Sequence, residues 1–387
     1  MSAKSAVPNG WKEYRMSDLA YIDAKSLSNN TPATYEFKYI SLTDVNEGVI
    51  NDRLAQYVYS EAPSRARRCV TKNDVLMSTV RPNLKGFARF REDVTDIIAS
   101  TGFAVISPKI ETDSEYIHQY LYSSKIELQI HALVVGSNYP AINSTDVKEL
   151  RVLAPTSPQL REQIGQVLAL WDLASQKTTR LIELLNLRYL ATAAKLLSRN
   201  DAKVPLKKFL KPVARAVPRP DESYWALGIR SHGKGTFRRF IENASSIAME
   251  TLYGVKRDDI IANITFAWEG AIALVDKTDE DCLVSHRFPT FEIDRNKALP
   301  GYLRHIIVQK RFIKDLGLIS PGGAGRNRVL NKRDFLNLKI FLPEIAEQQR
   351  IGDILSTSLR EISLLQEKLK LLKKQKRGLM QKLLTGE

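Results

Sequence analysis

The stretch with the clearest chemical signature runs from Gly228 to Lys234 and matches the pattern G-x-x-x-x-G-K. In a P-loop this pattern cradles phosphates, and a Ser or Thr after the lysine binds magnesium. Here Gly235 follows the lysine, so that hydroxyl group is missing. The equivalent stretch of an internal repeat, residues 43–48, keeps the second glycine but has no lysine. We therefore predict a loop that contacts nucleic-acid phosphates through Arg230 and Lys234, rather than a nucleotide site.

Other catalytic patterns are missing from the sequence. The five histidines are scattered without H-x-x-x-H or H-E-x-x-H spacing, so no metal site is expected. The sequence has no G-x-S-x-G elbow and no Asn-Pro-Pro or Asp-Pro-Pro motif of the kind found in adenine methyltransferases. Asp74 and Asp259 are interpreted as turn residues before strands rather than as nuclease ligands. The chain is expected to bind rather than catalyse.

Side chains suited to reading bases occur in several loops. Arg matches the O6 and N7 atoms of guanine, and Asn matches the N6 and N7 atoms of adenine. Recognition residues usually lie in loops that a rigid frame positions. For any single residue, a solvated loop or a phosphate contact is the alternative interpretation. The candidates are Arg81, Asn83, Lys85, Ser137, Asn138, Tyr139, Asn263, Thr265, Trp268, Arg326, Asn327 and Arg328.

Composition points to the same class of partner. The 387 residues carry a formal net charge of +15, with a pI near 9.6. Such a surface attracts phosphates, although solvated lysines on an ordinary surface are the alternative. No apolar run approaches the length of a membrane span. The two cysteines, Cys69 and Cys282, lie far apart, which favours a reducing cytoplasm over a disulfide framework.

The elements that must position these loops form an α+β pattern. Short β-rich segments cover residues 37–42, 74–80 and 102–106, with turn residues between them. Residues 115–133 have helical spacing of apolar side chains. This mixture predicts an α+β domain.

Two long helices with a narrow apolar seam are also predicted. Ser157-Pro158 is a typical helix start, and the first helix should run to about Leu197, a rod of roughly 58 Å. Apolar steps of three and four predict a seam against another helix. Lys376 falls on the second seam, where a polar residue can fix the register. The apolar seam residues are Ile164, Leu168, Trp171, Ile182 and Leu185 in the first helix and Ile351, Leu355, Ile362, Leu365, Leu369 and Leu372 in the second.

The second half of the chain repeats the first. Residues 258–261 correspond to residues 73–76, and Ile351-Gly352 corresponds to Ile164-Gly165. Pro158 and Pro343 each open a P-x-x-x-E-Q pattern, but the second copy has two extra residues between that pattern and Ile351. We therefore predict a tandem duplication whose helix starts are out of register. The expected domains are residues 10–155 and 201–342, with helices at 156–200 and 343–387.

Taken in this order and twice over, the motifs resemble the specificity (S) subunits of Type I restriction–modification systems. The resemblance is carried by the P-x-x-x-E-Q entries, the I-G-x-(V/I)-L that follows each, residues 74–78, the loop at 136–143 and the tail from Lys373 to Gly386. Asn73 and Asp258 stand where the family has glycine, and residues 325–330 diverge. These departures bear on which residues contact DNA rather than on the resemblance to the family.

The resemblance implies two target-recognition domains, separated by the antiparallel helix pair, that each read half of a split sequence in double-stranded DNA. The helix pair would set the separation near one helical turn, of order 34 Å, and dock modification subunits. Those partners would bind S-adenosylmethionine and methylate adenine, and a restriction subunit that translocates DNA is a further partner. This chain would be non-catalytic, bind no cofactor and act in the prokaryotic cytoplasm. The alternatives are a duplicated adaptor that binds proteins and a stand-alone DNA-modifying enzyme.

Overall fold

The computed structural model describes residues 7–134, 140–198, 203–322 and 328–386. Contacts within the chain divide it into two compact units. Unit 1 comprises residues 1–180 and 367–387, and unit 2 comprises residues 181–366.

The first half of the chain forms short strands and helices followed by a long helix. The strands are β1 (Trp11–Arg15), β2 (Ala20–Ile22), β3 (Glu36–Ile40), β4 (Val45–Asn46), β5 (Val49–Ile50), β6 (Ala55–Val58), β7 (Ala66–Val70), β8 (Val75–Ser78), β9 (Phe87–Arg89), β10 (Ile97–Ser100), β11 (Phe103–Pro108) and β12 (Arg151–Pro155). The helices are α1 (Met16–Leu19), α2 (Asp113–Leu121), α3 (Ser124–Leu133), α4 (Ser144–Glu149) and α5 (Pro158–Leu197).

The second half has the same kind of content. Its strands are β13 (Lys203–Pro205), β14 (Leu210–Val213), β15 (Arg215–Pro218), β16 (Tyr224–Ile229), β17 (Thr236–Ile241), β18 (Thr251–Gly254), β19 (Ile260–Ala262), β20 (Ile272–Leu274), β21 (Leu283–Val284), β22 (Thr290–Ile293) and β23 (Lys339–Phe341). Its helices are α6 (Pro300–Ile306), α7 (Lys310–Leu318), α8 (Lys332–Asn337) and α9 (Ile345–Leu383).

The strand orders of unit 1 recur in unit 2. In unit 1 the sheets have the orders β6-β3-β10-β7 and β2-β11-β8-β9, and β1 pairs with β12. In unit 2 the orders are β17-β16-β21-β18, with β15 added beside β18, and β14-β22-β19-β20, and β13 pairs with β23. In both units one pair is parallel, β3 with β10 and β16 with β21. The predicted α+β class and the tandem duplication are confirmed.

The long helices run antiparallel within each unit. In unit 1 the beginning of α5 shares a hydrophobic core with the end of α9, and in unit 2 the end of α5 shares one with the beginning of α9. α5 begins at Pro158, where the Ser157 Oγ accepts a hydrogen bond from the Leu160 N–H at 3.3 Å. It ends at Leu197, as the sequence predicts.

The predicted seam residues lie on the covered side of both helices. Leu168 on α5 and Leu355 on α9 are fully buried. The other seam residues are buried or partly buried: Ile164, Trp171, Ile182, Leu185, Ile351, Ile362, Leu365, Leu369 and Leu372. In unit 1 the Lys376 Nζ lies 2.5 Å from an oxygen of Asp172 on α5, so the polar residue of this seam has an opposite charge across it.

The glycine of the repeated I-G-x-(V/I)-L motif allows close packing of the long helix on its own domain. A Cβ atom on Gly165 would lie 2.8 Å from the Tyr116 nitrogen in α2, and one on Gly352 would lie 3.2 Å from the carbonyl carbon of Gly301 in α6. Real Cβ atoms essentially never come within 3.0 Å of a neighbour, so a larger residue at Gly165 would push the helices apart. The motif therefore recurs because both domains meet their helices in the same way.

The two helix starts are in register, so the sequence prediction on this point is wrong. α9 begins at Ile345, 187 positions after Pro158, and the same offset separates Ile351 from Ile164. Pro343 therefore precedes its helix, whereas Pro158 is the first residue of its own. Aligning the two P-x-x-x-E-Q patterns therefore pairs positions that are not equivalent in the fold.

The residues that are equivalent in the first turns are Arg161 and Gln348, and both are buried. The Arg161 Nε and Nη2 atoms bind the two oxygens of Asp113 in α2 at 2.7 and 2.9 Å. The Gln348 side chain accepts a hydrogen bond from the Leu299 N–H at 2.9 Å and donates one to the Pro343 carbonyl at 2.8 Å. Each side chain ties the start of a long helix to the domain of its own unit.

A buried histidine connects the helices of unit 2. His305 on α6 lies 3.2 Å from the Tyr189 hydroxyl of α5 and 3.0 Å from the Ser356 hydroxyl of α9. Burial, aided by the positive charge of Arg304, lowers the pKa of His305 to about 4. The imidazole is therefore neutral at pH 7, with one nitrogen donating and the other accepting.

Candidate nucleic-acid interface

A tight turn after β19 in unit 2 carries three of the candidate residues. The Asn263 Oδ1 accepts a hydrogen bond from the Thr265 N–H at 3.0 Å, and the Trp268 Nε1 donates to the Thr265 carbonyl at 3.1 Å. Gly270 closes the turn with a φ of +81°, a conformation that favours glycine. Asn263 and Trp268 therefore shape this turn, whatever else they contact.

Arg328 reaches the same turn from the segment before α8. Its guanidinium carbon lies 5.1 Å from the ring centre of Trp268. The neighbouring Leu330 N–H donates to the Ile264 carbonyl at 2.8 Å, which fixes this segment against the turn. A guanidinium stacked on an indole face is held in orientation while its edge N–H groups remain available. The structure thus brings Arg328 beside Asn263, Thr265 and Trp268.

The hairpin turn between β16 and β17 lies against the same place. The His232 N–H donates to the Glu269 carbonyl at 2.7 Å, and the Gly233 N–H donates to the Gly270 carbonyl at 3.0 Å. The G-x-x-x-x-G-K stretch is thus the end of a strand and a hairpin turn, and β17 follows where a P-loop would continue into a helix.

This hairpin turn adds two basic side chains to the site. Arg230 is exposed, and its guanidinium carbon lies 5.0 Å from the ring centre of Phe237. Lys234 is exposed and has no hydrogen bond or ion pair within the described part of the chain. Unit 2 therefore gathers six of the candidates around one turn: Arg230, Lys234, Asn263, Thr265, Trp268 and Arg328.

Unit 1 has the corresponding turn between β8 and β9. Arg81 and Lys85 adopt left-handed φ angles of 48° and 54°, which are costly for residues with side chains. The Arg81 N–H donates to the Pro140 carbonyl at 2.7 Å, so the segment before α4 meets this turn as Arg328 does in unit 2. Asn83 is exposed, whereas the Lys85 Nζ pairs with Glu127 at 3.1 Å and must leave that carboxylate to contact a ligand.

Five other candidates lie outside the described residues: Ser137, Asn138, Tyr139, Arg326 and Asn327. Their roles stay predictions. The described residues that border them, Pro140 and Arg328, lie at the two turns.

A buried carboxylate anchors the unit 1 turn to α2. The Glu115 carboxylate binds Arg89 and Arg91 at 2.8 Å each and accepts a hydrogen bond from the Gln119 amide at 3.0 Å. Burial disfavours the charged form, but hydrogen bonds from His118 and Gln119 and the charge of Arg91 outweigh it and hold the pKa of Glu115 below its usual range. Because Arg89 lies on β9, directly after the turn, this network fixes the turn on the core.

The second strand of the unit 2 hairpin carries further exposed side chains that were not predicted from the sequence. β17 places Phe237 and Arg239 on an exposed face, next to the turn that carries Lys234. The available signal was the run from Thr236 to Ile241, which is rich in aromatic residues and follows a glycine-rich turn.

Within the described ranges, no three His, Cys, Asp or Glu residues are grouped so that they could hold a metal ion. Over the same ranges, no helix combines the length and the apolar character needed to cross a membrane.

Fold and site together define a duplicated α+β protein with a basic, amide-bearing turn in each unit and a pair of long helices. The sequence matches the model of the Type I restriction modification DNA specificity domain over residues 8–186 and 252–374. The chain belongs to this family, as its motifs indicate.

Known relatives agree with this assignment. The Type I restriction enzyme HindI specificity subunit of Haemophilus influenzae is 28% identical over 103 residues, which is 25% of this chain and 21% of that subunit. A chain from a structure on complex assembly and conformational transition of the type I R-M system has a TM-score of 0.61 at 18% identity, covering 98% of this chain and 99% of that one. The Type-I restriction-modification S subunit from M. genitalium gives 0.61 at 12% identity, covering 99% and 98%. These two likenesses show the fold.

Proposed function

We propose that this chain is a specificity subunit that recognises a bipartite double-stranded DNA target, with one half-site read by each unit. The observation that carries the proposal is the recurrence of one site. In unit 1 the turn at Arg81 meets the segment at Pro140, and in unit 2 the turn at Trp268 meets Arg328. Arg and Lys side chains hold phosphates, while Asn, Arg and Tyr side chains read base edges in the major groove.

The chemical step is assigned to partner subunits. This chain has no Asn-Pro-Pro or Asp-Pro-Pro motif of an adenine methyltransferase, and the described residues of its candidate site offer amide, guanidinium, ammonium, hydroxyl and indole groups that suit DNA binding. We expect modification subunits that bind S-adenosylmethionine to methylate adenine at the site, with a restriction subunit as a further partner. Residues 10–155 and 201–342 would be the target-recognition domains, and residues 156–200 and 343–387 the spacer that docks the partners.

An apolar band on α5 supports partner docking. Besides its covered seam, α5 exposes leucines on a second side. In unit 1 these include Leu170, which is 65% exposed, and in unit 2 they include Leu184, Leu187 and Leu190, which are 47%, 61% and 58% exposed. The spacing of three residues between Leu184, Leu187 and Leu190 places neighbouring side chains close together on the helix. Large exposed apolar patches mark protein–protein contacts. It supports the docking role that the resemblance implies for the helix pair.

A Leu184→Glu/Leu187→Glu variant is therefore expected to lose its partners. Carboxylates in the band would have to be desolvated on docking, at a cost of several kcal/mol. Co-purification with tagged methyltransferase subunits of the same system should fall at least tenfold, and adenine methylation should disappear with it. Leu318→Glu is the matched control, because Leu318 on α7 is 74% exposed in the same unit but lies outside the band.

Unchanged melting temperatures for both variants would establish that they fold. Full methylation and co-purification by the Leu184→Glu/Leu187→Glu variant would contradict the docking role. Partners that remain bound without any DNA preference would favour an adaptor over a specificity subunit.

Changes in one unit should affect one half-site. Arg328→Ala in unit 2 removes a guanidinium that is held at the turn, and should weaken one half-site by about 1–3 kcal/mol. Lys85→Ala in unit 1 should weaken binding through the other half-site. The measurement is binding of the purified complex to duplexes in which each half-site is scrambled separately. Equal losses on all sequences would instead identify both residues as phosphate contacts.

A further inference from the structure

The solvent face of the β16–β17 hairpin is built as a flat aromatic and cationic surface. Ala226 pairs with Arg239 across the hairpin and Gly228 pairs with Phe237. Because side chains alternate along a strand, these pairs face away from the buried Leu227. The two positions on β16 have a small side chain or none, which leaves room for the side chains of β17.

The Phe237 ring lies directly on the backbone of Gly228. A Cβ atom at Gly228 would be 2.4 Å from the ring, so any other residue would displace it. The Arg230 guanidinium covers the ring at 5.0 Å and also donates to the Thr236 carbonyl. Phe237 nevertheless remains 38% exposed. The stack is therefore ordered before any ligand arrives.

The two strands of this hairpin and their turn carry charge of one sign. The stretch from Ser223 to Ile241 has no acidic residue. Arg238, on the opposite face, is paired with Asp281 at 2.7 Å. Arg239 and Lys234 are exposed and have no ion-pair partner among the residues that the structure describes. An uncompensated basic face beside an exposed aromatic ring is complementary to a polyanion with sugar rings between its charges.

This face continues into the candidate interface. The backbone hydrogen bonds of His232 and Gly233 fix the hairpin turn on the turn that contains Trp268. We propose that the hairpin face holds the DNA backbone beside the unit 2 half-site, with Arg239 and Arg230 on phosphates and Phe237 against a deoxyribose. This inference rests on the proposed function and adds an affinity surface that does not read bases.

The test uses the full chain in complex with its methyltransferase subunits. The cognate duplex carries the target sequence that this complex methylates. Arg239→Ala should weaken binding roughly tenfold, equally on cognate and scrambled duplexes. It should also reduce the slope of log K against log salt by about 0.9, the value for one lost phosphate contact. Phe237→Ala should weaken binding without changing the slope. Arg239→Lys should retain the wild-type slope. Lys211→Ala, an exposed residue on β14, is the control.

The possible outcomes distinguish a failure of the proposed function from a failure of the hairpin inference. If the wild-type complex does not prefer its cognate duplex, the proposed function fails. If it does, but Arg239→Ala binds like Lys211→Ala, the hairpin inference is overturned. A changed methylation motif in Arg239→Ala would also overturn it, because the residue would then read a base. Loss of the methyltransferase subunits from Arg239→Ala would assign the face to a protein partner instead.

Discussion

Arg161→Met is expected to destabilise unit 1 by about 3–5 kcal/mol, the usual cost of removing one partner of a buried ion pair. Arg161 and Asp113 are 3% and 1% exposed, and two hydrogen bonds of 2.7 and 2.9 Å join them. Arg161 also donates to the Pro155 carbonyl at 2.8 Å. Without the guanidinium, the Asp113 carboxylate would stay buried with no opposite charge. That loss is a large part of the stability of a typical domain.

Hydrogen exchange resolved along the chain measures this effect, with faster exchange expected in α2, β12 and the start of α5. The double variant Arg161→Met/Asp113→Leu is the control, because replacing a whole buried pair by apolar side chains is often neutral. It should recover most of the protection. A single variant that exchanges like the wild type, or a double variant that is just as damaged, would mean that the pair does not hold α5 on its domain.

Inserting one heptad into each long helix is expected to lengthen the gap between half-sites by about three base pairs. Seven helical residues add about 10 Å, and a heptad keeps the 3.5-residue seam in phase. The insertions belong between Arg180 and Leu181 and between Gln366 and Glu367, where the chain divides into units. Adenine methylation mapped across a genome should show both half-site sequences unchanged.

The control replaces seven existing residues at each place with the inserted sequence, and its gap should equal that of the wild type. An insertion in α5 alone should abolish methylation, because the two seams can no longer pair along their length. A double insertion that methylates the original motif with the original gap would contradict the role of the helices as a ruler.

The helices and the duplication could be predicted because their signals are local and repeated. Apolar steps of three and four identify a buried helical side without knowledge of the partner. The strands β3, β8 and β11 lie within or beside the predicted segments for the same reason. The repeat of Ile164-Gly165 at Ile351-Gly352 records a packing contact that both units need.

The helix register was predicted wrongly because a short pattern recurred by coincidence. Pro343 follows β23 and precedes α9, whereas Pro158 begins α5. The structural equivalence lies in Arg161 and Gln348, which are different residue types but are both buried and both donate to a backbone carbonyl that precedes their helix. Because two different residue types perform the same task, the two copies of the repeat have no common residue at this position.

Candidate residues could be named from the sequence one by one, but the sequence does not show which of them lie together. Arg230, Trp268 and Arg328 are separated by dozens of residues, and only the fold shows that their segments meet. The contact between Gly228 and the Phe237 ring could not be predicted either, because Phe237 lies on the opposite strand of the hairpin. Such contacts depend on strand register, which composition and spacing do not determine.

If each unit reads its own half-site, exchanging the recognition domain of one unit should change that half-site alone. Residues 203–342 would be replaced by the corresponding segment of another family member, and methylation would be mapped in cells that supply the methyltransferase subunits. We expect a bipartite motif in which one half changes, while the other half and the gap are retained. An undivided motif, or a change in both halves, would contradict it.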